Sequence, residues 1–162
     1  MPRLTHRVRQ FFGALRPRVS VRDRIEAYAC LAPQQQRLFE TMTLRDQQHG
    51  IIVMRRVRAS AGEDPVLCAA ALLHDCGKGK IALWHRVAYV LLGTTPNVRE
   101  RVAVRHGAEW RQAIWRLLHH PSLGAGLVAA TGADPEVVRM IREQDAPAAQ
   151  GKLAILQAAD DA

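Results

Sequence analysis

The stretch "ALLHDCGKGK", Ala71 to Lys80, sets an imidazole, a carboxylate and two ammonium groups at the end of an apolar run. Successive residues of a helix point about 100° apart, so His74 and Asp75 cannot both face solvent if the helix bearing them is buried. An ionised carboxylate in the interior is costly unless a cation compensates it, and imidazole with carboxylate is a good donor set for a divalent metal. The competing reading is a solvent-exposed helix end at Gly77, with His74 near the C-terminus to meet the helix dipole. Two distant residues bear on the choice. His49 falls on the apolar stripe of another helix, where a lone histidine is ordinarily a hydrogen-bonded core residue. Asp160 closes the apolar segment "LAILQAA", whose face is expected to be buried. Three helices would then aim metal-competent groups at one interior.

Those helices are legible as punctuation and periodicity. After Pro17, "VRDRIEAYACLA" reads as a helix, and Pro33 opens a long one running through Ser60, with Leu38, Met42, Val53 and Val57 inward and His49 on the same stripe. Gly62 closes it, and Asp64 with Pro65 supplies an N-cap followed by proline at the first helical position. The next helix, "VLCAAALLHD", is apolar all round and is expected to be the central buried element, ended by Gly77. Further helices are expected at "IALWHRVAYVLL", at "PNVRERVAVRHGAEWRQAIWRLLH" entered at Thr95 and Pro96, at "PSLGAGLVAAT", at "PEVVRMIREQ" entered at Asp134 and Pro135, and at "KLAILQAADDA". No segment alternates like a strand. The expected fold is all-α, an irregular multi-helix bundle with residues 21–162 as one domain.

Residues 1–20 form a separate case. The first 22 residues hold six arginines and no acid, and Leu4, Val8, Phe11, Phe12 and Leu15 share one helical face. Such a basic amphipathic segment packs on or extends the domain, or acts as a peripheral membrane contact, a partner-docking helix or a transit peptide.

Composition excludes several classes. No apolar run approaches the roughly 20 residues that span a bilayer. The three cysteines, Cys30, Cys68 and Cys76, lack CxxC spacing, which argues against a disulfide framework or zinc ribbon and fits a cytoplasmic setting. A formal charge of +8, carried by 20 arginines and three lysines, attracts phosphorylated small molecules, nucleic acid or acidic headgroups. Nucleic acid is not favoured, because the arginines are scattered and aromatics are only 5% of the chain.

Taken in order, His49, the pair His74 and Asp75, and Asp160 resemble the H…HD…D signature of the HD-domain metal-dependent phosphohydrolase superfamily, from about Leu38 onward. "AALLHDCGK" is similar to that family's apolar helix ending in HD, "DQQHG" to the helix bearing its first histidine, and "LQAADD" to its closing aspartate helix. "HPSLGAGL" resembles the segment that carries an additional histidine in two-metal branches. The resemblance implies an HD-domain core of about five helices and a divalent cation (manganese, iron, magnesium, cobalt or zinc) held by His49, His74, Asp75 and Asp160. It implies hydrolysis of a phosphomonoester or phosphodiester of a nucleotide or other small phosphorylated molecule. Lys78 would either neutralise developing phosphate charge or remain a solvated loop cation, with Lys80 at the surface. His120, before Pro121, suits an N-cap at a helix start, and would be a second-site ligand, a substrate contact or a proton donor.

One departure stands out. Gln144 and Asp145 occupy the neighbourhood of a further histidine in two-metal relatives, and a neutral amide is a poor ligand, so a catalytically degenerate module binding a nucleotide or partner protein is the alternative. His119 is expected to be structural or exposed, His85 and His106 to be surface or hydrogen-bonded interior residues, and His6 to belong to the basic tail. No GYP signature is present.

Overall fold

The computed structural model describes residues 17–162 except Pro96; the basic amphipathic segment is therefore outside the described residues up to position 16. The chain is all-helical, about 70% helix, with no strand among the described residues. In chain order the helices are α1 (Val21–Tyr28), α2 (Pro33–Thr41), α3 (Leu44–Ala61), α4 (Pro65–Leu73), α5 (Leu83–Leu92), α6 (Val98–Val102), α7 (Glu109–Ala129), α8 (Pro135–Arg142) and α9 (Gly151–Asp161), with a 3₁₀ turn at Cys76–Lys78.

The all-apolar α4 is the hub, with every residue from Leu67 to Leu73 buried. Asp64 starts it by accepting from the amides of Val66 and Leu67, which satisfies donors that the first turn cannot pair internally. Helices α3, α8 and α9 pack around α4, α7 packs along the 3₁₀ turn and α8, and α5 and α6 lie on α7. Phe39, Met54, Leu72, Ile114, Met140 and Leu156 are among the large side chains closing the core. Helix α1 is tied to α3 by ion pairs, since Arg55 reaches Asp23 and Glu26 and Arg58 reaches Glu26.

The expected helix breaks differ in three places. The long helix from Pro33 is two, because Met42 is extended and Thr43 begins α3 afresh. The Thr43 hydroxyl accepts from the Asp46 amide and donates to its carboxylate, while Gln47 donates to the Met42 carbonyl, so local capping outweighs an uninterrupted stripe. The helix expected after Pro96 also divides, into α6 and α7, with Gly107 at φ 134° in the connection.

Conversely, α7 runs through Pro121, where a helix start with His120 as its N-cap was expected. A proline inside a helix leaves the carbonyl four residues back without its amide donor, here that of Leu117. His120 fills the gap, with Nδ1 donating to the Leu117 carbonyl at 2.8 Å.

Candidate metal centre

Two close backbone approaches bring the chemistry-bearing residues together. A Cβ at Gly50 would lie 2.8 Å from the Leu72 carbonyl oxygen, so only glycine lets α3 meet α4 at the level of His49 and His74. A Cβ at Gly77 would lie 2.1 Å from the His120 carbonyl oxygen and 2.5 Å from the Gly124 nitrogen, which seats the 3₁₀ turn directly on α7. Arg56 of α3 donates to the Ala159 carbonyl at 2.9 Å, and so holds the last turn of α9, with Asp160, against α3.

The result is a compact donor cluster. His49 Nε2 and Asp160 Oδ1 are 2.7 Å apart, and the edge-to-face rings of His49 and His74 have centroids separated by 5.2 Å. One ligand atom from each of His49, His74 and Asp160 lies within 4.8 Å of the others. His74 Nε2 stands 3.4 Å from Asp75 Oδ1 and 3.5 Å from Asp160 Oδ1. Those separations are too long for good hydrogen bonds, so His74 Nε2 is buried without a hydrogen-bond partner, while Asp75 Oδ1 has the Lys78 ammonium 2.6 Å away.

These residues fit a divalent cation. The Nδ1–H of His74 donates to the Ala71 carbonyl at 2.8 Å, which leaves Nε2 as the ring nitrogen facing the carboxylates and open to a cation once its proton is lost. Bonds of about 2.1 Å at ordinary coordination angles set neighbouring donors about 3 Å apart, close to the spacing found here. Exposure grades across the cluster: His74 and Asp75 form a buried floor, whereas the Asp160 side chain is 42% exposed. The burial expected for Asp160 is not found: the residue is exposed, because α9 ends beside the opening of a cavity.

The electrostatics express the same convergence. Burial disfavours charge on His74, but the carboxylates of Asp75 and Asp160 outweigh it and raise its pKa to about 9. Burial likewise opposes ionisation of Asp75, and His74 and Lys78 overcome it to hold the carboxyl well below the usual range. Asp160 is also held low against burial, by His49 and His74. Cys76 is pushed up to about 12 by burial and by adjacent Asp75, and all three cysteines carry free thiols.

Lys78 donates to Asp75 Oδ2 at 2.6 Å, so its ammonium rests on the carboxylate while its side chain lines the cavity. His120 directs Nε2 toward Asp75 Oδ1 at 3.8 Å, and burial together with Lys78 lowers its pKa. Gln144 donates to the His74 carbonyl at 3.2 Å and braces the turn that carries the pair. His119 is exposed beside Trp115. His85 departs from expectation: it is buried against Trp84, and neither ring nitrogen has a hydrogen-bond partner. His106 is exposed on the α6–α7 connection.

A cavity of about 620 Å³ opens over the cluster, and Arg45, Arg56 and Arg86 line it together with His49, Asp75 and Asp160. Asp46, nearly fully buried, anchors Arg86 by accepting from its Nη2 with both carboxylate oxygens, at 2.7 and 2.9 Å. Burial and neighbouring Arg86 lower the pKa of Arg45. The sequence held a signal for Arg45, which lies four residues before His49 and so shares its helix face. Asp46 and Arg86 are 40 residues apart and left none.

Comparison with protein-family models, with curated proteins and with solved structures finds no match to this chain.

Proposed function

We propose that the protein is a metal-dependent phosphohydrolase acting on a small phosphorylated molecule such as a nucleotide. The observation that carries this reading is the buried, unpaired Nε2 of His74 facing donor atoms of Asp75 and Asp160, with His49 on Asp160. The ordered H…HD…D pattern of these residues, which resembles the HD-domain superfamily, supports it. His49, His74, Asp75 and Asp160 would hold the cation, which when bound polarises a phosphoryl oxygen and acidifies a water. Arg45, Arg56, Lys78 and Arg86 line the cavity beside Asp46, Asp75, Asp160 and Asp161, so its cations and carboxylates match in number, and a bound divalent cation would tip the balance toward an anion. His120 Nε2, with Nδ1 occupied by Leu117, is the group free to give or take a proton.

The purified chain, grown with manganese supplementation, is expected to retain stoichiometric metal by elemental analysis and to cleave p-nitrophenyl phosphate or bis-p-nitrophenyl phosphate. His74→Ala and Asp160→Ala should remove both properties. Absence of bound metal in the wild type would defeat the proposal.

A second reading is a regulatory module that binds a nucleotide or a partner protein without turnover. Gln144 favours it, because its amide is used on the His74 carbonyl and contributes no further ligand. Tight nucleotide binding with no product after long incubation selects this reading.

A further inference from the structure

Helix α5 is apolar on two sides. Its inner side is accounted for: His85 is buried, and Tyr89 packs on the cluster of Ile81, Ala113 and Leu117. Its outer side is not. Leu83, Trp84, Val87, Val90 and Leu91 follow one another at helical spacing and are all exposed, Trp84 to 56% and Val90 and Leu91 to 63% each. A contiguous apolar stripe of this kind on a described surface marks an interaction face.

The segment that carries the stripe is predominantly basic. Between Asp75 and Glu109 the only acidic residue is Glu100, whereas Lys80, Arg86, Arg99, Arg101 and Arg105 all fall in that interval. Lys80, Arg101 and Arg105 are exposed, against one exposed carboxylate at Glu100, whereas Arg86 is held by Asp46. Arg99 stacks on the Tyr89 ring with its guanidinium 4.0 Å from the centroid and donates to the Tyr89 carbonyl at 2.7 Å, which ties the arginine-bearing α6 to α5.

This charge pattern discriminates among occupants. In a two-fold pair of copies the same patch meets itself, and its cations meet cations. The chain's own first 22 residues, with six arginines and no acid, would bring like charge to the same segment. A bilayer containing anionic lipid supplies what both lack, an apolar interior for the stripe and a negative boundary for the cations. Tryptophan suits that boundary, since its ring is apolar and its N–H is polar, and long basic side chains reach headgroups from a helix lying in the interface.

We propose that the outer face of α5, with the basic segment that carries it, is a docking surface for membranes containing anionic phospholipid. Full-length protein is to be floated with vesicles of phosphatidylcholine alone and of phosphatidylcholine with phosphatidylserine. Binding to the second and not the first is expected, with a blue shift of tryptophan emission that Trp84→Phe removes. The double variant Val90→Glu, Leu91→Glu should bind at least about tenfold more weakly, because two large apolar side chains are withdrawn from the interface. Both positions are open to solvent, so its circular dichroism should match the wild type.

Failure to bind phosphatidylserine vesicles overturns the proposal. So does binding that persists in the double variant without involvement of Trp84, which would assign attachment to another part of the chain. A wild-type dimer that the double variant dissociates, with no vesicle binding by either, would assign the stripe to a second copy. Tight binding of an acidic amphipathic helical peptide in place of vesicles would assign it to a protein partner.

Discussion

His120 and Pro121 form a two-residue device in which one side chain repairs what its neighbour removes. Because the imidazole takes the place of a missing amide on the Leu117 carbonyl, Nδ1 is committed as a donor and Nε2 is turned toward Asp75. Loss of this hydrogen bond in His120→Ala should cost about 1 kcal/mol in urea unfolding. Restoring the amide with Pro121→Ala should shrink that cost, and the double-mutant cycle would report the coupling. Equal costs in both backgrounds would mean that the imidazole is not acting as the substitute donor. His74 offers a second test at this scale. Its pKa is raised from the ordinary 6.5 to about 9, so the stability it contributes in metal-free protein is complete below 6.5 and is lost as pH climbs through 9. Asp75 and Asp160, held below the usual 3.8, contribute in the opposite sense, with their share present above that value and lost in acid. A cation that displaces the His74 proton should therefore bind more tightly as pH rises from 6.5 toward 9, on the order of tenfold per unit for one proton released. Calorimetric titration with manganese across that range checks it, and a flat profile would refute proton competition.

At the level of elements, the turn between α4 and α5 depends on contact with α7. Gly77→Ala places a methyl 2.1 Å from the His120 carbonyl oxygen, so turn and helix must part. A loss of about 3 kcal/mol is expected from such overpacking, accompanied by weaker metal retention, measured by denaturant unfolding and elemental analysis. The sequence exposed the central α4 because an apolar run starting at Asp-Pro has few other readings, and the order of His49, His74 and Asp160, through the resemblance it carries, pointed to residues that the fold does bring together. It did not expose the break at Thr43, where a side-chain cap competes with periodicity on nearly equal terms. Nor could it show that α7 passes through Pro121, since the substitute donor becomes visible only once His120 is placed in three dimensions. The Asp46–Arg86 pair belongs to the same category, because contact between α3 and α5 has no local sequence signature.

For the whole molecule, a cation held as proposed between α3, the end of α4 and α9 would stabilise the folded chain as a ligand of the native state. At a free concentration 100 times its dissociation constant, manganese should add about 2.7 kcal/mol and raise the melting temperature, and a chelator should reverse the shift. Thermal unfolding of the His74→Ala variant with and without manganese provides the control, since the shift should vanish there. The net charge of +8 means that the apparent affinity for any phosphate compound will weaken with salt, and a titration in rising sodium chloride measures how much of the binding is long-range attraction. One short rod, α5, has Arg86 clasped by a carboxylate at the cavity wall while Val87, the very next residue, looks outward. Adjacent residues of a helix point about 100° apart, so one ten-residue rod carries both the docking face proposed above and the Asp46-bound guanidinium. Docking on that exterior would thus bear on the same rod that supplies part of the chamber wall.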